Sequence, residues 1–251
     1  MAIARDKTVR ELLAEVPAAH RVFEEIGIDY CCGGEQTLET ACSKAHLSVA
    51  QVEQRIAEAL ETAAPTGEAK NWHAEPLADL VSHIIETHHA FTRRELARLA
   101  PLMATVAQVH GKYHPELLRI QAIFEELSPE MNLHMMKEEE MFFPYITQIE
   151  EAALEGRPVI STTVSGIKDP VHAMMQEHDS AGAQLRAIRE ASADYLVPPG
   201  GCFSYQSLYE ALHAFEQDMH QHIHLENNIL FPRALQMEGS SRELRPSTHG
   251  R

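Results

Sequence analysis

Four histidines recur along this chain at nearly equal intervals: His89, His134, His178 and His222 lie 45, 44 and 44 residues apart. Two of them carry a glutamate four residues later, as His134–Glu138 and His222–Glu226. A period of about 44 residues is what an up-down bundle of roughly 20–30-residue helices and their connections produces, returning one imidazole to the same level of the core on each pass. Residues at i and i+4 share a helix face, so each His–Glu pair can grip one metal ion together. The expected fold class is therefore all-α, with a metal site inside a four-helix bundle.

The apolar stripes support this placement. One candidate helix reads Leu117, Ile120, Phe124, Leu127, Met131, His134, Glu138, Met141, Tyr145 along its inward face, and another reads Leu208, Leu212, Phe215, Met219, His222, Glu226, Ile229. A third runs Val171, Met174, His178, Ala181, Leu185, Ile188. Steps alternating between three and four are those of a helix packed in a bundle. Each candidate ligand then points into the core, where an ionised glutamate is costly unless it is paired or bound to metal. A single histidine on an apolar stripe is more often a hydrogen-bonded core residue. Two buried Glu–His pairs facing other His-bearing helices reverse that preference.

Periodicity leaves the first bundle helix open. His88 continues the stripe Leu77, Val81, Ile84, Phe91, whereas His89 continues Ile85 and Leu96. His110 and His114 compete for a fifth histidine position. Twenty-one residues of straight helix would separate His110 from His89 by about 30 Å, so His110 reaches the site only if the chain breaks near Pro101 and folds back. Other histidines, such as His83, His172, His213, His220 and His224, are expected at the surface or behind the ligands.

Charge and length bound the remaining possibilities. Lys and Arg number 21 against 37 Asp and Glu, a net charge of −16, which argues against nucleic acid or an anionic membrane as partner. The first residues lack an apolar export segment, and no stretch approaches the roughly 20 apolar residues that span a bilayer. Four cysteines in 251 residues do not make a disulfide framework, so a reducing cytoplasm is the expected compartment.

The chain divides in two. Residues 1–62 read as a small helical domain, with Thr8 capping a first helix, a second ending at Gly27, and Ser48 capping a helix over 49–62. Residues 63–76 read as a linker carrying Trp72, residues 77–236 as the bundle, and 237–251 as a frayed tail. The bundle helices are expected at about 77–99, 115–151, 169–193 and 204–236. The small domain contains Asp29-Tyr30-Cys31-Cys32-Gly33-Gly34. Adjacent cysteines bridge only through a strained ring, so Cys31 and Cys32 suit soft-metal or thiol-exchange chemistry better than a disulfide. They are the candidate catalytic thiols, although packing as small apolar side chains is the plainer role. Cys42 and Cys202 read as structural.

Four histidines and two glutamates are too many ligands for one tetrahedral zinc. Two carboxylates able to bridge, with imidazoles on either side, suit a pair of iron ions with open positions, and manganese or mixed occupancy also fits.

Taken together, Asp29-Tyr30-Cys31-Cys32-Gly33-Gly34, Val109-His110, His134-Met135-Met136-Lys137-Glu138-Glu139, Glu177-His178-Asp179 and His222-Ile223-His224-Leu225-Glu226-Asn227-Asn228 followed by Leu230-Phe231-Pro232 resemble the hemerythrin-like di-iron proteins known as repair of iron centres proteins. The resemblance covers about residues 7–236. It implies a hemerythrin-like up-down four-helix bundle whose two non-haem iron ions, bridged by carboxylate, are held by His89, His110, His134, Glu138, His178, His222 and Glu226. It thereby selects His89 over His88 and His110 over His114. It also implies a bacterial cytoplasmic protein that restores iron–sulfur clusters after nitric oxide or oxidative damage.

Three functions follow as expectations. In the first, a repair factor supplies iron to damaged iron–sulfur proteins, with Cys31 and Cys32 passing it on. In the second, the site binds, scavenges or reduces nitric oxide. The third, an oxygen carrier or sensor, leaves the Cys-Cys domain without a task. Nitric oxide or dioxygen would be the small ligands, and homodimerisation is left open.

Overall fold

The computed structural model describes residues 6–62, 70–159 and 166–243. Among them the secondary structure is helical throughout, with one isolated antiparallel bridge between Thr8 and Thr37. Residues 63–69 of the linker expected over 63–76, part of the loop before Asp169 (160–165) and residues 244–251 of the tail expected from 237 lie outside the described residues.

The small domain contains α1 (Val9–Glu15), α2 (Ala19–Ile26), α3 (Leu38–Lys44) and α4 (Val49–Thr62). Thr8 and Glu11 exchange side-chain to backbone hydrogen bonds in a capping box that starts α1. Gly27, at φ +70°, closes α2 in the left-handed conformation that glycine adopts without a Cβ penalty. Leu12, Phe23, Leu38, Val52 and Ile56 form the domain's own core.

Four long helices follow. We label them α5 (77–110), α6 (116–154), α7 (Lys168–Ala191) and α8 (203–243). α5, α6 and α8 each contain one wider π-helical turn, at Ile84–His89, Glu138–Phe142 and Glu226–Leu230 respectively. The chain does not break at Pro101: α5 continues through it to His110. An interior proline costs about 3 kcal/mol or more, but Pro101 faces solvent while Leu96, Leu99, Met103 and Val106 bury the opposite stripe. α8 likewise extends beyond Met237 to Glu243.

Two buried glutamates hold one end of the bundle together. Both carboxylate oxygens of Glu150, on α6, accept from the first amides of α5, Leu77 at 2.6 Å and Ala78 at 2.9 Å. Glu238, on α8, accepts from the amide of Ile167 at the start of α7 and from the Tyr145 hydroxyl. Negative charge at a helix N-terminus satisfies otherwise unpaired N–H groups.

The bundle core has two apolar blocks. One contains Leu77, Ile84, Phe143, Ile146, Val171, Leu230 and Phe231. The other contains Leu99, Met103, Ile120, Phe124, Leu185, Leu208, Leu212 and Phe215. The recurring histidines occupy the layer between them.

Candidate metal centre

Antiparallel packing of α5 to α8 brings His89, His134, His178 and His222 to one level, as the 44-residue period requires. All four are at most 2% exposed, and Glu138 and Glu226 are fully buried. Two groups result: His89, Glu138, His222 and Glu226, and His134, Glu138, His178 and Glu226. Both glutamates belong to both groups.

The ring nitrogens converge in pairs. His89 Nε2 is 3.1 Å from His222 Nε2, and His134 Nε2 is 3.0 Å from His178 Nε2. Two nitrogens each about 2.1 Å from one cation, at roughly a right angle, lie about 3 Å apart. Glu226 spans the pairs, with one oxygen 3.0 Å from His222 Nε2 and the other 3.0 Å from His178 Nε2. Glu138 reaches both pairs through one oxygen, its Oε2 lying 3.4 Å from His89 Nε2 and 3.3 Å from His134 Nε2.

Both oxygens of Glu138 and one of Glu226 are buried with no hydrogen-bond partner among the described residues. The Glu226 oxygen lies close to His178, but proximity is not alignment of an N–H with a lone pair. Carboxylate lone pairs left unpaired in the core, each within reach of two imidazoles, suit cation binding. Nitrogen and oxygen donors suit divalent iron, manganese or zinc.

Electrostatics hold the carboxylates ionised. Burial works against the charge on Glu226, but His222 and His178 outweigh it and hold its pKa well below the usual carboxylate range. Glu138 is lowered for a similar reason, with burial and Glu226 opposing and His134 and His89 prevailing. Burial disfavours the charged form of His134, yet Glu138, Glu226 and Glu177 together raise it to about 9.

Three of the four imidazoles are oriented from behind. His89 Nδ1 donates to Glu139 at 2.7 Å, His134 Nδ1 to Glu177 at 2.9 Å, and His178 Nδ1 to Asn227 Oδ1 at 2.8 Å. Such outer partners fix which nitrogen is free to bind a cation. His222 Nδ1 has no partner among the described residues. Arg93 and Lys137 in turn pair with Glu139 and Glu177. Glu139, Glu177 and Asn227 each adjoin a residue of the cation groups in sequence, within the motifs quoted for the resemblance, but no spacing assigns them this supporting role.

The π turns set these positions. α6 carries His134-x3-Glu138-x4-Phe143-Pro144, and α8 carries His222-x3-Glu226-x4-Phe231-Pro232. In each, a π turn starts at the glutamate and ends just before Phe-Pro. A proline supplies no N–H to the carbonyl four residues back and crowds it, so a wider turn relieves the conflict. The phenylalanines that follow stack on the site: Phe231 on His178 and Phe143 on His89. The extra residue also rotates the inward face, so Met141, expected inside, is 72% exposed and Phe142 is buried instead. In α5 the π turn over Ile84–His89 carries His89 onto the stripe of Ile84. His88 is buried as well, but its Nδ1 meets Asp218 at 3.0 Å, outside either cation group.

His110 is not brought to the centre. It ends α5, one long α-helical segment away from His89, and its Nε2 is 3.1 Å from the sulfur of Cys202, near His114 and Tyr205. This corrects the seven-residue ligand set: without a break at Pro101, neither His110 nor His114 can fold back. Cys202 is exposed rather than structural.

The small domain sits against the same layer. Asp29 Oδ1 accepts from the amides of Cys32 and Gly33, each at 3.0 Å, and folds the Cys31–Gly34 turn. Asn228 Nδ2 lies 3.1 Å from Tyr30 O and 3.2 Å from Cys31 O, and a Cβ on Gly34 would come within 2.3 Å of Asn228. Cys31 and Cys32 are free, with sulfurs 3.8 Å apart. The neighbouring Cys32 sulfur and burial push the Cys31 thiol well above its usual pKa. Together with Asp29 the two thiols form a third group able to take a metal ion.

Comparison with known proteins agrees with this layout. Residues 80–234 match the model of the hemerythrin HHE cation binding domain, and residues 5–60 match a domain of unknown function (DUF542). The chain is 35% identical over 238 residues to the iron-sulfur cluster repair protein YtfE of Pectobacterium carotovorum, covering 93% of this chain and 99% of the relative. It is 37% identical to the protein of the same name from Musicola paradisiaca, covering 93% and 98%. It is 33% identical to a probable iron-sulfur cluster repair protein of Haemophilus influenzae, covering 94% and 99%. The chain therefore belongs to the family of hemerythrin-like iron–sulfur cluster repair proteins.

Proposed function

We propose that this protein holds two iron ions between His89, Glu138, His222, Glu226, His134 and His178, and supplies iron to iron–sulfur clusters damaged by nitric oxide or oxidation. The observation that carries the reading is the pair of fully buried glutamates shared by two imidazole pairs, in a chain whose relatives are named as iron–sulfur cluster repair proteins. Bound iron would supply redox change and exchangeable coordination positions. The protein's residues supply the rest: Glu138 and Glu226 as shared anionic ligands, Glu139, Glu177 and Asn227 as orienting acceptors, and Phe143 and Phe231 as apolar walls. Cys31 and Cys32, docked beside the centre, are the proposed thiols through which iron is passed on. No helix among the described residues is long and apolar enough to cross a membrane, and the reading places the protein in the cytoplasm with its iron–sulfur clients.

The test is to load the purified protein with ferrous iron, count the metal, and add it to an iron–sulfur enzyme inactivated by nitric oxide. About two irons per chain and recovery of enzyme activity, absent with the iron-free protein, are expected. A single zinc that ferrous iron does not replace would overturn the metal assignment. Nitrous oxide released with iron retained, and no recovery of the enzyme, would favour nitric oxide reduction instead.

A further inference from the structure

Asn227 touches both the metal centre and the cysteine loop. Its Oδ1 lies 2.8 Å from His178 Nδ1, and its Nδ2 lies 3.4 Å from the main-chain oxygen of Cys31. It follows Glu226 in the π turn of α8, which aims Asn227 and Asn228 together at the small domain. Both asparagines are 6% exposed.

The chemistry of the two contacts fixes a proton. A main-chain carbonyl only accepts, so it selects the NH2 side of the Asn227 amide. The amide oxygen then faces His178, which must donate from Nδ1. The lone pair is left on Nε2, pointing at His134 Nε2 and Glu226, the form in which an imidazole binds a cation. We propose that Asn227 is a positioning residue that couples docking of the Cys31-Cys32 loop to cation binding at His178: the docked loop presets the metal-binding tautomer, and a bound cation secures the loop.

Reciprocity follows from linkage: if the docked loop favours the cation, the cation favours the docked loop by the same factor. Without a cation the Nε2 side of His178 faces only His134 Nε2 and the Glu226 carboxylate, so nothing there holds the ring to the orientation that keeps Asn227 donating to Cys31. Asn228 provides the contrast, because it binds Tyr30 and Cys31 through its amide group and His224, not a member of either cation group, from the same nitrogen. It docks the loop without sensing the metal. In the docked arrangement the sulfur of Cys32 rests 3.8 Å from the His178 carbonyl oxygen, so occupancy of the centre controls how readily that thiol is reached.

The inference rests on the reading of the centre as a cation site, and metal analysis of the wild-type protein tests that reading first. Cys32 alkylation by iodoacetamide is then timed in the full-length protein with and without ferrous iron, reading each cysteine separately by peptide mass. Iron should slow Cys32 by about fivefold, the equilibrium effect of roughly one hydrogen bond. Asn227→Asp keeps an acceptor for His178 but cannot donate to Cys31, so it should retain iron while the ratio falls to about one. Asn227→Ala should do the same with weaker iron retention. Asn228→Ala should raise both rates and keep the ratio. Equal wild-type rates with iron bound would overturn the coupling, as would a ratio unchanged in Asn227→Asp, loss of iron from that variant, or a ratio abolished by Asn228→Ala.

Discussion

The sulfur of Cys32 lies 3.8 Å from the main-chain oxygen of His178, a residue 146 positions further along the chain. The contact places a thiol from the small domain on the helix that supplies one imidazole to the metal centre. The two domains have separate cores, yet their reactive groups share one location, and several predictions depend on that.

Glu226→Ala should abolish stable iron loading, because it removes a ligand shared by both cation groups. It should also leave His178 and His222 buried without their anion, a loss of about 3–5 kcal/mol for breaking a buried pair. His172→Ala, at an exposed position, should change neither. Iron analysis and thermal melting of loaded and stripped protein check this; a Glu226→Ala protein with two tightly held irons contradicts it.

His110→Ala should leave iron content unchanged, whereas His89→Ala should reduce it, because about 30 Å of helix separates the two. His110→Ala should instead alter the reactivity of Cys202, 3.1 Å from its ring. Loss of iron from His110→Ala would mean that α5 breaks at Pro101 after all.

Glu177→Gln and Glu139→Gln should each weaken iron binding by about 10–100-fold without changing stoichiometry at saturation, as expected for partners that orient ligating imidazoles. Titration against a competing chelator measures this. An unchanged affinity in both would show that His134 and His89 hold their orientation by packing alone.

Docking of the small domain should weaken in acid. Burial opposes the charge on Glu24, but its contacts with His220 at 3.0 Å and with Arg189 keep its pKa below 4.5. A depressed folded pKa contributes stability that is present above the unfolded value and lost as pH falls through the folded one. Wild-type and Glu24→Gln proteins should therefore differ by roughly 1.5–3 kcal/mol near neutrality, as for a hydrogen bond to a charged group, and the gap should shrink as pH falls through the lowered pKa of Glu24. Melting curves across pH 3–7 decide it; a constant gap would mean that the Glu24 charge is not what the contact uses.

The sequence determined the bundle and most of its centre. The 44-residue recurrence, the His-x3-Glu pairs and the three- and four-residue stripes placed His134, Glu138, His178, His222 and Glu226 in the core, because a helix of fixed period turns spacing into direction. Thr8 and Gly27 likewise marked helix ends through local chemistry. Tertiary structure decided what periodicity left open between His88 and His89, and it alone decided the exposure of Met141, the distance of His110 and the meeting of Cys31 with Asn227. A π turn adds a residue and rotates everything beyond it, and its position depends on what the helix must bind and pack against. Whether a helix survives an interior proline depends on the face it buries, and Asn227 reaches the cysteine loop only after two separately cored domains dock. None of these is fixed by the neighbours of a residue in sequence.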